Sequence, residues 1–242
     1  MSKISVIGIG PGSLAELTPR AAQAIEGAEV VAGYNTYIKL IEKVLVGKKI
    51  IGRAMMQEVE RCRLAIDETL AGKNVAVVSS GDAGVYGMAG LAAELAEDFP
   101  GAQIKIIAGV TAALSGAALL GSPLTNDFAV ISLSDLLTPW EVIEKRLEGA
   151  ALGDFAVVIY NPMSKKRTDT LKKACDIILK HRSPDTPCGI ASNTGREGET
   201  CGILTLSELR GTAVDMFTTV FIGNSATRVI GGRLVTPRGY KL

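Results

Sequence analysis

The sequence predicts an α/β protein with two α/β domains, a mostly parallel sheet in the first and a mixed sheet in the second. In the first half, short β-branched runs alternate with helical patterns, which is typical of parallel sheets. In the second half helices are fewer and strands follow one another closely, which favours a mixed sheet. Residues 116–126 look like a boundary, so we predict domains over residues 1–118 and 126–242.

Composition limits the function classes. The chain has 242 residues, 47% of them hydrophobic and 21% charged, which is typical of a globular protein. A net charge of +1 gives no support to nucleic-acid binding. The four cysteines form no CxxC pair, and the one histidine, His181, follows a lysine and precedes an arginine. We therefore expect no metal site, and we expect the cysteines to be small core residues in a reducing compartment.

In the first half, Thr18 and Pro19 are suited to the N-cap and first position of a helix ending near Gly27. The predicted strands are residues 3–9, 29–32, 48–51, 75–78 and 103–108. The further predicted helices are residues 38–46, 57–71, 85–95 and a small-residue helix ending at Leu120. The uncharged segment 106–126 is long enough to span a bilayer, but a strand, a glycine turn and a buried helix explain it better.

In the second half, Thr138 and Pro139 are again suited to begin a helix. The predicted strands are residues 128–132, 155–160, 187–192, 199–205 and 219–222, and this last strand completes the set. The other predicted helices are residues 168–180 and 206–211, and residues 236–240 are predicted to be a loop. The apolar run at the N-terminus is too short for the hydrophobic region of a signal peptide. We therefore expect a cytoplasmic protein without a membrane span.

Two glycine-rich segments follow predicted strands. Residues 79–84 read SSGDAG, whose small residues let another molecule approach the backbone, and Asp82 adds a carboxylate that a turn does not require. Residues 8–12 read GIGPG and resemble a dinucleotide loop. However, Ser13 stands where the third glycine belongs, and Pro11 removes a backbone donor. A nicotinamide-dependent oxidoreductase therefore remains only a distant alternative, and we predict a rigid apolar shelf there.

The sequence contains no P-loop motif and no G-x-S-x-G motif, and His181 is poorly placed to act as the base of a catalytic triad. These absences disfavour nucleotide hydrolysis and serine hydrolase chemistry. They favour chemistry that depends on positioning, such as group transfer from an activated cofactor.

Five motifs together resemble the tetrapyrrole (corrin/porphyrin) methylase family, and the resemblance covers residues 4–240. They are GIGPG at 8–12, SGDAGVY at 80–86, GVTA at 109–112, SLSDLLTPW at 132–140 and YNP at 160–162. The SLSDLLTPW run, the Gly33-Tyr34 pair and Met56-x-Glu58-x-x-Arg61 resemble, more narrowly, the members that methylate carbon 17 of precorrin-3B. In that subgroup, methylation accompanies contraction of the macrocycle in cobalamin biosynthesis. A sister methylase for the cobalt-loaded intermediate or for another ring position is the alternative.

The resemblance implies a homodimer of two-domain subunits that use S-adenosylmethionine in a cleft between the domains and release S-adenosylhomocysteine. The implied cofactor-binding residues are Gly81, Asp82, Ala83, Val85, Tyr86, Thr111, Ala112, Tyr160, Asn161, Ala191, Asn193, Thr218 and Thr219. The substrate candidates are Pro11, Tyr34, Arg53, Ser134, Lys165 and Arg167, because a tetrapyrrole carries carboxylates around its rim. Each cofactor residue is expected at a strand end or in a loop after a strand.

The implied reaction is a direct displacement in which a nucleophilic ring carbon attacks a sulfonium methyl group. Such a step depends on alignment in a dry site more than on a strong base. Ring contraction requires proton transfers as well. Asp82, Asp135 and Glu58 are the candidate acids or bases, and a capping, backbone-bonding or surface role explains each of them equally well.

Overall fold

The computed structural model describes residues 3–164 and 167–241 of the chain. It divides into two compact units, one reaching Ala112 and the other beginning at Ala113. Each unit has its own sheet and its own buried apolar clusters.

The N-terminal unit is built on a five-stranded parallel sheet with the order β3-β2-β4-β1-β5. Its strands are β1 (Lys3–Gly8), β2 (Val30–Tyr34), β3 (Lys49–Arg53), β4 (Val75–Ser79) and β5 (Gln103–Ile107). Its helices are α1 (Pro19–Glu26), α2 (Asn35–Leu40), α3 (Glu58–Leu70) and α4 (Ala89–Ala96), with short 3-10 turns at Leu14–Glu16 and Glu42–Val44. The predicted parallel sheet is confirmed.

Alternating side chains of this sheet fill two apolar clusters, one on each face. Ile4 and Val77 pack in the cluster that includes α3 and α4, whereas Ile7 and Val78 pack in the cluster that includes α1 and α2. Since both faces are covered, the central strands β1 and β4 are almost wholly buried. The helix after β1 packs on one face of the sheet and the helix after β4 packs on the other. The carboxyl ends of β1 and β4 are therefore left uncovered between them, which is where α/β sheets bind ligands.

The C-terminal unit has a mixed sheet with the order β10-β9-β11-β8-β7, in which only the β7–β8 pair is parallel among the described strands. These strands are β7 (Phe128–Ser132), β8 (Ala156–Tyr160), β9 (Pro187–Ser192), β10 (Thr200–Thr205) and β11 (Thr218–Ile222). The helices are α5 (Ala112–Leu120), α6 (Trp140–Leu152), α7 (Thr170–Ile178) and α8 (Leu206–Gly211). The mixed sheet was predicted and is confirmed.

A small three-stranded sheet contradicts the prediction that the strand at 219–222 is the last one. It consists of β6 (Gly121–Ser122), β12 (Arg228–Ile230) and β13 (Arg233–Val235). Gly231 and Gly232, with φ of 56° and 73°, form the two-residue turn between β12 and β13. A glycine pair between two short strand-forming runs is a hairpin signal, and sequence reasoning overlooked it.

Two predicted helix starts are also wrong. The helix predicted from residue 85 begins at Ala89, so that the loop after β4 covers residues 80–88. The second begins at Trp140 with Pro139 at the N-cap position, and no side-chain hydrogen bond caps it. Thr18, by contrast, caps α1 as predicted, because its hydroxyl accepts a hydrogen bond from Ala21 N at 3.2 Å.

Three of the four cysteines are core residues as predicted, and all four are free. Burial raises the pKa of the Cys62 thiol to about 11 and that of the Cys175 thiol to about 12, and it also raises the pKa of Cys188. Cys201 is the exception, because it lies exposed on the edge strand β10. No helix within the described ranges has the length and apolar character needed to cross a membrane.

Candidate functional site

Three glycines, one at the end of β1 and one two residues after each of β4 and β5, touch one another through their backbones. A Cβ atom built on Gly8 would lie 2.6 Å from Gly81 O and 2.7 Å from Gly109 N. One built on Gly109 would lie 2.3 Å from Gly81 O and 2.5 Å from Gly8 O. Real Cβ atoms do not approach other atoms so closely, so Gly8 and Gly109 have no room for a side chain. We call Gly8, Gly81 and Gly109 the glycine contact.

The loop after β1 is tied to the loop after β4 by a pair of backbone hydrogen bonds. Gly10 N donates to Gly81 O at 3.0 Å, and Gly81 N donates to Gly10 O at 2.7 Å. Both residues have positive φ, 74° and 68°, which favours glycine. Pro11, predicted to be part of an apolar shelf, is buried directly after this bridge.

Asp82 binds backbone amides on two loops. Its Oδ1 accepts hydrogen bonds from Gly84 N at 2.7 Å and Val85 N at 3.2 Å, while Oδ2 accepts one from Gly109 N at 2.9 Å. Both carboxylate oxygens are thus occupied within the protein. Asp82 therefore acts as a positioning residue that joins the loops after β4 and β5.

The rest of the 80–88 loop is tightly folded and includes an exposed tyrosine. Ala83 is buried, and its carbonyl accepts a hydrogen bond from Ala89 N at 2.9 Å. A Cβ on Gly87 would lie 2.4 Å from Ala83 O, so the chain there packs on its own backbone before α4 begins. Tyr86 is 56% exposed and has a φ of 53°, a left-handed conformation that is rare for tyrosine.

Thr111 and Ala112, the cofactor candidates after β5, are half-buried beside the same loop. A Cβ on Gly81 would lie 3.6 Å from the Thr111 Cα and 3.7 Å from Ala112 N. The predicted residues of the N-terminal unit are thus brought together at one sheet edge. Gly8 and Gly109, which build this edge, are missing from the predicted set, and their signal is a glycine at or directly after the end of an apolar strand.

Three further candidates lie at the ends of β2 and β3 or just after them, and each has a partner. The Tyr34 ring packs edge-on against Tyr37 with centroids 5.1 Å apart, and Tyr34 is the last residue of β2. Arg53 Nε donates to Glu60 Oε1 at 3.0 Å. Glu58 Oε1 accepts a hydrogen bond from Met56 N at 3.1 Å, which is a backbone-capping role.

In the C-terminal unit the cofactor candidates gather at one edge of the mixed sheet. Strands β8 and β9 end there, and β11, which pairs antiparallel with both, begins there. Tyr160 closes β8, and its hydroxyl accepts a hydrogen bond from Ala113 N in the first turn of α5 at 2.7 Å. Asn161 follows with a φ of 52° and donates from Nδ2 to Ser132 Oγ at 2.9 Å.

The candidates on β9 and β11 pair across these two strands. Ala191 is opposite Thr219 in the ladder, and both residues are buried. Thr218, also buried, exchanges a hydroxyl hydrogen bond with Ser192 at 2.8 Å. Asn193 has a φ of 51°, and its backbone N donates to Phe217 O at 3.2 Å.

The substrate candidates of this unit lie in the loops after β7 and β8. Ser134 N donates to Ser132 Oγ at 3.2 Å. Arg167 Nη1 lies 3.3 Å from Leu133 O and 3.4 Å from the carboxylate of Asp135, so it links the two loops. Lys165 lies outside the described residues. The predicted acid–base candidate Asp135 is therefore an exposed ion-pair partner here.

Within residues 3–164 and 167–241, no three His, Cys, Asp or Glu side chains form a group that could hold a metal ion. His181 follows α7, and its Nε2 lies 3.6 Å from Glu148 Oε1.

These features define an α/β protein that presents bare backbone at the carboxyl edge of a parallel sheet and polar loops at the edge of a mixed one. The sequence model of the family described as "Tetrapyrrole (Corrin/Porphyrin) Methylases" matches residues 3–210 of the chain. The chain belongs to this family, and it is therefore a methyltransferase. The predicted family and enzyme class are confirmed.

Individual relatives match the chain from end to end. It is 46% identical over 240 residues to the "Probable cobalt-factor III C(17)-methyltransferase" of Salmonella typhimurium, covering 99% of this chain and 100% of that protein. It is 46% identical over 244 residues to the "Cobalt-factor III methyltransferase" of Priestia megaterium, covering 99% of this chain but 45% of that longer protein. The crystal structure of the methyltransferase CobJ superimposes with a TM-score of 0.91 at 35% identity, covering 98% of this chain and 100% of that one.

Proposed function

We propose that the chain transfers the methyl group of S-adenosylmethionine to carbon 17 of a corrin precursor, in the step of cobalamin biosynthesis that also contracts the macrocycle. The observation that carries this proposal is the end-to-end match, at 46% identity, with a relative named as a C(17)-methyltransferase. The nicotinamide alternative has no such support, since the loop after β1 leads into a 3-10 turn and not directly into a helix.

The substrate is precorrin-3B or its cobalt-loaded counterpart. The names of the Salmonella and Priestia relatives favour the cobalt-loaded form. Cobalt would then arrive as part of the substrate, so the protein itself needs no metal ligands for this reaction.

The loops of the N-terminal unit have a surface suited to this cofactor. Gly81 and Gly84 carry no side chain beside Asp82, and Gly84 is exposed, so a ligand can reach the backbone there. In the C-terminal unit, Tyr160, Asn161 and Asn193 offer polar groups at a sheet edge. We propose that the cofactor is bound by Gly81, Asp82, Ala83, Val85, Tyr86, Thr111, Ala112, Tyr160, Asn161, Ala191, Asn193, Thr218 and Thr219.

When bound, S-adenosylmethionine supplies an electrophilic methyl group on a sulfonium. The protein's contribution is alignment: Asp82 and the glycine contact hold the loops after β1, β4 and β5 in one fixed arrangement. The methyl step needs no strong base, which agrees with carboxylates that are occupied by backbone amides or arginines. Asp82 thus contributes by positioning, through Gly84, Val85 and Gly109.

The substrate's rim carboxylates need cations, and we propose that Arg53, Lys165 and Arg167 supply them. Pro11, Tyr34 and Ser134 complete the proposed substrate contacts. Arg167 is 20% exposed in its side chain and pairs with the more exposed Asp135. A substrate carboxylate would replace Asp135 as its partner, which exchanges one charge-assisted hydrogen bond for another.

The decisive test is calorimetric titration with S-adenosylhomocysteine of the wild type, Asp82→Trp and the control Asp98→Trp. Asp98 is an exposed acid in the same unit, so a tryptophan at this position should leave binding unchanged. We expect the wild type and the control to bind, and Asp82→Trp, checked for folding by circular dichroism, to lose binding. A wild type that binds NADH instead would overturn the proposal.

A second assay separates the two substrate forms. Radiolabelled S-adenosylmethionine is incubated with metal-free and with cobalt-loaded substrate, and the position of the new methyl group is determined by NMR. We expect transfer to carbon 17 and faster turnover of the cobalt-loaded form. Transfer to another ring carbon would reassign the protein within the family.

We also propose that the protein is a cytoplasmic homodimer, as the resemblance implies. Sedimentation equilibrium should give twice the 25.3 kDa mass of the chain at micromolar concentration. A single-chain mass at that concentration would contradict the dimer.

A further inference from the structure

Arg61 is a buried arginine whose hydrogen bonds are incomplete. It lies in the first turns of α3 and is only 3% exposed. Its Nη2 donates to Met88 Sδ at 3.4 Å, whereas the buried Nε and Nη1 have no hydrogen-bond partner among the described residues. A thioether sulfur is a weak acceptor, so most of the guanidinium's donor capacity is unused.

Charge compensation around Arg61 is also weak. The carboxylate of Glu58 lies 3.8 Å away, is 39% exposed and already accepts a hydrogen bond from Met56 N. A buried charge with unpaired donors is costly, and such groups in native proteins call for an explanation in function or in a ligand. The unpaired donors of Arg61 therefore call for such an explanation.

The contact partner of Arg61 belongs to the proposed cofactor loop. Met88 is the last residue of the 80–88 loop, is itself buried and donates from N to Ser79 Oγ at 3.3 Å. Between Ala83 and Met88, residues 84–87 form no regular structure, and Tyr86 holds a strained φ of 53°. Met88, the residue that Arg61 contacts, thus follows the strained Tyr86 by two residues.

We propose that Arg61 is a positioning residue for the cofactor loop, and that carbonyl groups of residues 84–87 accept from its Nε and Nη1 only when the cofactor is bound. The inference rests on the proposed cofactor site. The loop holds Tyr86 in its strained conformation, and Nε and Nη1 of Arg61 find no acceptor among the described residues. Cofactor binding selects the arrangement in which loop carbonyls turn towards Arg61, so the guanidinium stabilises the bound form.

The test measures affinity and stability separately. S-adenosylhomocysteine is titrated into the wild type, Arg61→Met, Arg61→Lys and the control Arg63→Met, which removes an exposed arginine from the same helix. We expect both Arg61 variants to bind about tenfold or more weakly, since hydrogen bonds to a charged group are lost. Lysine keeps the charge but lacks Nε and Nη1. Arg63→Met should bind as the wild type does.

Stability distinguishes positioning from a merely structural role. Ligand-free Arg61→Met should melt at the same temperature as the wild type or higher, because it removes an incompletely paired buried charge. Weaker binding without loss of stability supports the inference. Wild-type affinity in Arg61→Met overturns it and leaves the proposed function intact, whereas a wild type that binds no S-adenosylhomocysteine overturns both.

A measurement on the wild type covers the case in which Arg61→Met does not fold. The Arg61 Nε–H resonance should shift downfield on addition of S-adenosylhomocysteine, and amide exchange in residues 84–88 should slow. An unchanged Nε–H resonance in a protein that binds the ligand overturns the inference.

Discussion

The candidate loops of the N-terminal unit and those of the C-terminal unit are each held in place by a different kind of contact. In the N-terminal unit the strand ends pack backbone against backbone, through the glycine contact and the Gly10–Gly81 bridge. In the C-terminal unit side chains join the loops, as in the hydrogen bonds from Asn161 to Ser132 and from Ala113 to Tyr160. In the first arrangement, Gly8 and Gly109 have no room for a Cβ atom. The second is made of separate contacts, so it can lose one and keep its shape.

The largest effect should come from adding a single methyl group to the glycine contact. In Gly109→Ala the new Cβ would lie 2.3 Å from Gly81 O, and only backbone shifts can relieve that clash. We expect the free energy of unfolding to fall by about 3 kcal/mol or more, measured by urea denaturation.

Gly90→Ala is the matched control, because a Cβ there meets nothing within 4 Å and the residue lies within α4. That variant should be more stable by about 0.5–1 kcal/mol. Equal urea midpoints for Gly109→Ala and the wild type would show that the strand ends are not as close as described.

The next effect should come from the one side chain on which the N-terminal region depends. Asp82→Asn replaces a carboxylate that accepts three backbone N–H groups by an amide with a single oxygen. We expect a loss of about 2 kcal/mol in unfolding free energy. S-adenosylhomocysteine affinity should fall with it, and calorimetry on the folded variant checks this. A variant as stable as the wild type would contradict the positioning role.

Removal of one contact in the C-terminal region should cost less. Tyr160→Phe deletes the hydroxyl that accepts from Ala113 N, which leaves that amide to water or to the cofactor. We expect a loss of about 1 kcal/mol in thermal unfolding. Tyr240→Phe, whose ring is 77% exposed, is the control and should change nothing measurable. If Tyr160→Phe lost as much stability as Gly109→Ala, the expected difference between the two regions would be contradicted.

The smallest effect should come from the exposed ion pair of this region. Asp135→Asn removes the partner of Arg167, and surface pairs of this kind contribute less than about 1 kcal/mol. The difference from wild type should shrink further in high salt, because exposed charges are screened. Stability curves at low and high ionic strength check both points, and a large salt-independent loss would contradict them.

Sequence reasoning succeeded where a local pattern determines the structure. Thr18 and Pro19 begin α1 because the hydroxyl and the ring are intrinsically suited to those positions. It failed at residue 85, because the helical pattern there gives no sign that Gly87 packs against the carbonyl of Ala83. The exposure of Cys201 was missed for a similar reason, since which strand is the sheet edge depends on tertiary pairing.

The same limit applies to the candidate site. Its location after β4 follows from the glycine pattern, which is local. That Asp82 binds Gly109 N depends on β1 lying between β4 and β5, which no spacing in the sequence reveals. Likewise, the motif at residues 56–61 gives no sign that Arg61 is buried, and only its contact with Met88 in the fold reveals its incomplete hydrogen bonds.

The distribution of the cysteines gives the protein a built-in reporter of local opening. Only the thiolate reacts with alkylating reagents, so at neutral pH Cys201 should be modified first while the buried thiols with raised pKa stay protected. Cys62 belongs to the core of the N-terminal unit, and Cys175 and Cys188 to that of the C-terminal unit. Mass spectrometry of a pulse-alkylated sample would therefore record, in one experiment, which half of the chain opens first under stress.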